Sequence, residues 1–204
     1  MSKQNPQPRI GLGLSRTEMY PPLNGEERTI YVSTRIRDEA VQFDFTVNGE
    51  SGSFPGIRLD RYFQAANLLI DKAFIASYSG TWPVQLKVRA WQDAFEESAT
   101  LTLYDTRNMQ AVRMEARLIP SDVAQIPPAG ETTRVSVAAT CYDGNGLELP
   151  YDEVPLQIEP NPPVAGVEVL GNRIFVSSMP HASQVHLRVS GAGASDDATL
   201  NLVK

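Results

Sequence analysis

The chain has 204 residues, of which 42% are hydrophobic and 21% charged, with one cysteine and a net charge of -6. That hydrophobic fraction excludes a disordered chain, and the lack of any apolar run of about 18 residues excludes a membrane-spanning helix. A lone Cys141 excludes an internal disulfide, and a pI near 5.0 argues against a nucleic-acid binder driven by phosphate contacts.

The first twenty residues, Met1–Tyr20, hold no apolar run and no cleavage site, so no secretory signal is expected there. Beyond them, apolar side chains recur at every second position. The runs are Val41, Phe43, Phe45 and Val47; Val84, Leu86 and Val88; Val112, Met114, Ala116 and Leu118; Val135 and Val137; Val185, Leu187 and Val189; and Leu200 with Leu202. Side chains on a strand alternate between faces, so each run predicts a strand with one buried face. Turn formers separate the runs, among them Asn48-Gly49, Ser79-Gly80, Asp143-Gly144-Asn145-Gly146 and Gly171-Asn172. Short strands punctuated in this way predict an all-β sandwich or barrel.

An internal repeat sets the domain count. Asn67–Ala90 aligns with Glu168–Gly191 without a gap, matching Leu69 to Leu170, Phe74 to Phe175, Ser77 to Ser178, Val84 to Val185, Leu86 to Leu187 and Val88 to Val189. Ala99–Leu103 lies over Ala198–Leu202, Ile57–Asp60 over Leu156–Glu159, and Asn24–Val32 over Ala129–Val137. The chain therefore reads as two tandem modules of about 95 residues, a common sandwich size. The expected boundaries are an N-terminal arm over 1–7, one sandwich over 8–105 and a second over 108–204. The link Thr106–Gln110 is short, so a semi-rigid rod is expected. The repeat also bears on Asp60–Phe74, where Leu59, Tyr62, Phe63, Ala66, Leu69 and Ile70 recur at helical spacing. The second copy carries proline and glycine there, which disfavour a helix. A hairpin turning at Ile70-Asp71 is expected, with a short helical turn at Asp60–Gln64 left open.

The residues of the second copy resemble a known family. Gly130–Val137 reads as a strand opened by Gly-Glu, Asp143-Gly144 as a loop, Val169–Val176 as a hairpin, and Val185–Gly191 with Ala198–Val203 as paired closing strands. In that order they resemble the group 2 bacterial immunoglobulin-like modules found in surface adhesins and in structural proteins of tailed phages. The first copy, with Gly25-Glu26 and its own closing strands, fits more loosely. The resemblance implies two tandem immunoglobulin-like β-sandwiches.

Catalysis finds few supports in the sequence. A hydrolase needs a nucleophile oriented by a base, and the only histidines, His181 and His186, lie in the second copy. His186 falls between Val185 and Leu187, so it is expected to face solvent. Cys141 reads as a small buried residue. No metal-ligand spacing is present; Asp143 and Asn145 read as turn formers, Gly11-Leu12-Gly13 lacks the strand–helix context of a phosphate loop, and the acidic pairs Glu96-Glu97 and Asp196-Asp197 read as solvated loop ends. No cofactor is expected.

Aromatic residues are concentrated in the first copy: Tyr62, Phe63, Tyr78, Trp82 and Trp91. They form the candidate interface, with core filling peculiar to that copy as the other reading; Trp82 and Trp91 are expected at or beside turns. The expected function is a non-enzymatic structural protein of a tailed-phage virion, as a head decoration or a tail or collar component. Its expected partners are other virion subunits in many copies, with neither nucleic acid nor membrane, and its site is the virion after assembly in the host cytoplasm. The alternatives are a rod segment of a bacterial adhesin and a carbohydrate-binding module using the aromatics of the first copy.

Overall fold

The computed structural model describes residues 10–24, 27–35, 41–62, 65–150 and 155–204. The expected arm over 1–7 lies outside the described residues. The chain divides into two compact units, Met1–Asn108 and Met109–Lys204.

The first unit contains β1 (Gly13–Leu14), β2 (Glu18–Met19), β3 (Arg28–Ser33), β4 (Gln42–Val47), β5 (Ile57–Tyr62), β6 (Ala65–Ile70), helix α1 (Lys72–Ser77), β7 (Val84–Gln92) and β8 (Phe95–Leu103). One sheet has the order β1-β3-β6-β5 and the other β2-β8-β7-β4. The alternation read from the sequence sets the core: Ile30 and Val32, Phe43 and Val47, Val84, Leu86, Val88 and Ala90, and Leu101 and Leu103 all point inward and are buried. Between β4 and the Val47–Glu50 bridge, Asn48 and Gly49 take positive φ of 48° and 86°, which makes the tight turn that Asn-Gly specifies.

The second unit contains β9 (Arg113–Ile119), β10 (Val123–Gln125), β11 (Thr133–Tyr142), β12 (Gln157–Pro160), β13 (Val167–Leu170), β14 (Arg173–Val176), β15 (Gln184–Gly191) and β16 (Ala194–Val203). Its sheets have the orders β13-β14-β11-β9 and β10-β16-β15-β12. Position for position this is the arrangement of the first unit. In each, the leading segment is split, one half lying antiparallel on one sheet and the other half parallel to the last strand on the opposite sheet. Two four-stranded sheets in this order make an immunoglobulin-like sandwich, so the chain is all-β and carries two of them.

The topology corrects parts of the repeat. Ile30 and Leu68 face each other in the first unit as Val135 and Ile174 do in the second, so β6 corresponds to β14. The matches of Leu69 to Leu170 and Phe74 to Phe175 are therefore not structural equivalences. Likewise Ile57–Asp60 belongs to β5, whereas Gln157–Glu159 lies on β12, whose counterpart by pairing to the penultimate strand is β4. Of the closing blocks, Ala99–Leu103 does lie over Ala198–Leu202, but by pairing to them Leu86, Val88 and Ala90 occupy the places of Val185, Leu187 and Val189, so the matches of Val84 to Val185, Leu86 to Leu187 and Val88 to Val189 are two residues out of register.

The hairpin expected at Ile70-Asp71 is absent. Instead β6 ends at Ile70, and Asp71 caps α1, its Oδ1 accepting from the Ala73 amide at 2.6 Å. The true equivalent of the β13–β14 hairpin, which does turn at Gly171-Asn172, is the β5–β6 pair. The helical turn considered at Asp60–Gln64 is strand as far as Tyr62; Phe63 and Gln64 lie outside the described residues. The first unit spends residues 71–83 between β6 and β7, where the second spends only 177–183, and the extra length is the helix. Val112, read as an inward strand position, is 66% exposed just before β9 begins.

Candidate interaction surface

The five aromatics do not come together. Tyr78 and Trp82 flank the buried Phe74 of α1, with ring centroids 5.0 Å from Phe74 to Tyr78, 6.0 Å from Phe74 to Trp82 and 5.6 Å between Tyr78 and Trp82. Both are half-buried and pack against the core of the first sandwich. The Tyr78 hydroxyl accepts from Asn48 Nδ2 at 2.6 Å, while Asn48 Oδ1 accepts from the Gln85 amide at 2.7 Å. The turn residue thus ties the aromatic nest to the β4–β7 edge, and the nest caps one end of the sandwich.

Trp91 lies within β7, opposite Glu96 on β8, and not beside a turn as expected. The hairpins of the two copies close alike, at Gln92 and Phe95 in the first and at Gly191 and Ala194 in the second, so Trp91 corresponds to Ser190 and not to Ala192. Alternation puts Trp91 on the outer face of the sheet, where the Arg89 guanidinium sits 4.6 Å from the ring centroid. Arg89 also donates from Nε to Asp44 at 3.0 Å and lies 3.5 Å from Glu96, and these carboxylates raise its pKa.

Tyr62 stands on the opposite sheet of the same unit, 43% exposed, its hydroxyl donating to Asn67 Oδ1 at 3.3 Å. Across that sheet Asp60, Asn67 and Tyr31 fall in one row, and Tyr31 is 60% exposed. Tyr31 and Tyr62 therefore share one outer face with Asn67 between them. Tyr31 was missing from the candidate set although alternation places it, since Ile30 and Val32 on either side are buried. Phe63 lies outside the described residues.

The polar groups weighed for chemistry have local partners. Asp143 Oδ1 accepts from the Asn145 and Leu147 amides at 2.9 and 2.8 Å, the self-bonded turn the sequence suggested. His186 is exposed, with Nδ1 3.2 Å from Thr199 Oγ1. Cys141 is buried on β11, and desolvation pushes its thiol pKa up, away from the thiolate a nucleophile requires. Among the described residues no group of three or more His, Cys, Asp or Glu side chains is placed to hold a metal ion. The acidic pairs are not loop ends: Glu97 lies in β8 and Asp196 in β16. Glu97 Oε2 accepts from the Gly11 and Leu12 amides at 2.8 and 3.0 Å, and Asp196 Oδ2 from the Ala116 amide at 2.8 Å. The glycine-rich segment thus does bind an anion, and the anion is the chain's own carboxylate.

No protein-family profile matches the chain, and no curated protein does. Among solved structures it is similar to a chimeric titin Z1Z2 carrying an exogenous decorin peptide, at 10% identity and a TM-score of 0.44 over 97% of this chain and 98% of that one. It is also similar to the N-terminal Ig1-2 module of the Drosophila receptor protein tyrosine phosphatase DLAR, at 13% identity and a TM-score of 0.37 over 94% and 97%. A third is the Yersinia pseudotuberculosis adhesin InvE, at 10% identity and a TM-score of 0.33 over 95% of this chain and 58% of that one.

Proposed function

We propose that the chain is a non-enzymatic structural protein that acts by docking other proteins onto the outer faces of its sheets. The observation that carries this reading is the Tyr31–Asn67–Tyr62 face: two exposed aromatics with a hydrogen-bonding amide between them on one outer sheet face. Tyrosine supplies large contact area at low entropic cost and is enriched among the residues that dominate interface energies. The buried Cys141 thiol, its pKa pushed up by desolvation, is remote in sequence from both histidines, which favours this reading over nucleophilic chemistry.

The finer reading, a component of a tailed-phage virion on the head, tail or collar, rests on the resemblance of the second copy to group 2 bacterial immunoglobulin-like modules. Its partners are then other virion subunits. The test is mass spectrometry of purified virions from the genome encoding the chain, with recovery in many copies per particle expected. Absence from the particle overturns the virion assignment, and incorporation that survives Tyr31→Ala with Tyr62→Ala overturns the role of that face. Circular dichroism of the double variant should match wild type, since both rings are exposed. The adhesin-rod reading predicts recovery from a cell surface instead. The glycan reading draws less support, because Tyr78 and Trp82 pack on Phe74 and Arg89 covers one face of Trp91.

A further inference from the structure

The equivalent sheet of the second unit carries a different outer face. By register, Arg173, Ser136 and Ile119 form one row across β14, β11 and β9, and Leu170 pairs with Arg173 at the β13 edge. The next row holds Arg134 beside Phe175, and Arg117 lies opposite Ala138 on the other side. Alternation turns all of these outward, away from the buried Val135, Val137, Ile174 and Val176. Leu170 is 73% and Ile119 45% exposed, and Phe175 is half-buried.

The charge on this face runs against its surroundings. The second unit holds six lysines and arginines against eleven aspartates and glutamates. Four of the six cations, Arg113, Arg117, Arg134 and Arg173, stand on this one face, with Glu115 and Glu168 as its carboxylates. Arg113 is paired with Glu115. Arg117, Arg134 and Arg173 are exposed, and their side chains make no ion pair or hydrogen bond among the described residues. Arg134 and Arg173 are diagonal neighbours, a separation of about 7–8 Å on a sheet, with Phe175 opposite Arg134 and Leu170 opposite Arg173, while Arg117 and Ile119 share the outer face of β9 on the other side of Ser136. The places of Arg134, Arg173 and Arg117 in the first unit hold Thr29, Asn67 and Gly13, and the arginine that stands on that face, Arg58, is paired with Glu27 and Asp60.

We propose that this face binds an acidic protein segment that also presents apolar or aromatic side chains. Exposed arginines select carboxylates, which they can hold with two parallel hydrogen bonds. The exposed Leu170 and Ile119 and the edge of Phe175 supply apolar contact that a simple polyanion cannot use, and arginine with aromatic residues is the composition of an interface core. A nucleic acid fits poorly, since the surrounding module is acidic and would repel phosphates. The inference rests on the reading of the chain as a docking protein and specifies the chemistry of one partner.

The test measures binding of the full chain to a random poly(Glu,Tyr) copolymer, to poly-glutamate and to heparin, at low and high salt. The copolymer should bind most tightly and weaken as salt rises. Arg117→Glu, Arg134→Glu and Arg173→Glu together should weaken it at least about tenfold, and Leu170→Ser should remove its advantage over poly-glutamate. The substituted positions are exposed, and unchanged circular dichroism of each variant shows that folding is not the cause. No binding, equal binding by wild type and triple variant, or heparin bound as tightly as the copolymer would each overturn the proposal. Self-association of the chain that disappears in the triple variant would overturn the heterologous partner in favour of a second copy. Virion incorporation that depends on Tyr31 and Tyr62 is read separately, so failure here leaves that result standing.

Discussion

Glu97 and Asp196 perform the same task in the two sandwiches, each accepting backbone amides from the leading strand segment with an acidic side chain on the last strand. Two part-buried amides depend on Glu97 and one on Asp196. Removing an acceptor leaves such donors unsatisfied, so Glu97→Ala should cost about 1–3 kcal/mol in urea unfolding. Glu97→Gln, which keeps an acceptor oxygen, should recover most of that loss, and faster hydrogen exchange at Gly11 and Leu12 would locate it. Asp105 has a different role. Its carboxylate accepts from Arg107 Nη2 at 2.7 Å and from the Arg107 amide at 3.0 Å, which holds its pKa below the usual carboxylate range. A depressed folded-state value stabilises the fold above the unfolded value of about 3.9, and that contribution disappears as pH falls through and below it. Asp105→Asn should therefore lower the urea midpoint at pH 6, and the gap to wild type should narrow at pH 3. An equal gap at both values would show that the ionised form contributes nothing.

At the scale of elements, the connection between β6 and β7 in the first unit repays attention. Its helix has one buried residue, Phe74, and its conformation is fixed at the start by Asp71 and at the base by Gly56. A Cβ on Gly56 would come within 2.2 Å of the Phe74 backbone nitrogen, so no other residue fits there without displacing the helix. Trp82→Ala removes the ring that closes the nest and should cost about 2–4 kcal/mol, less than for a fully buried ring because Trp82 is half-buried. Thermal unfolding checks this, and an unchanged midpoint would mean the ring has no part in packing. The sequence carried a signal for this element in Asp71 followed by Ala73 and Ala76, but a gapless alignment forced the segment onto the shorter connection of the second copy. Where apolar alternation ran unbroken, as in Val84–Val88 and Val185–Val189, strand, inward face and partner followed directly. Loop insertions obey no period, so the alignment slipped there. The outer faces were legible only by subtraction. Tyr31 follows from the burial of its neighbours, whereas the gathering of Arg117, Arg134 and Arg173 depends on register among three strands distant in sequence.

For the whole molecule, one topology is built twice with different surfaces. Leu86 and Leu187 are core leucines of β7 and β15, the corresponding strands of the two sandwiches, with exposures of 0% and 1%. Replacing either with alanine should cost its own sandwich about 2–5 kcal/mol. Hydrogen exchange on the full chain should show the loss of protection in β7 and β8 for Leu86→Ala and in β15 and β16 for Leu187→Ala. Undiminished protection in those strands would contradict the equivalence of the two cores. With the interiors matched, the difference between the copies lies on the outer sheet faces, tyrosine and asparagine in the first unit and arginine with leucine and isoleucine in the second.

In each unit an early strand runs parallel to the last, β2 beside β8 and β10 beside β16. Pulling the two ends of such a unit apart slides those strands along one another, so their hydrogen bonds are loaded together in shear instead of being peeled singly. The bonds concerned are Thr102 to Thr17 at 2.8 Å and Tyr104 to Met19 at 3.0 Å in the first unit, and Asn201 to Asp122 and Ile126 to Val203, both at 2.7 Å, in the second. The parallel patch spans two residue pairs in the first unit and three in the second. Stretched in an optical trap or by a cantilever, the chain should yield first at the sandwich with the shorter patch.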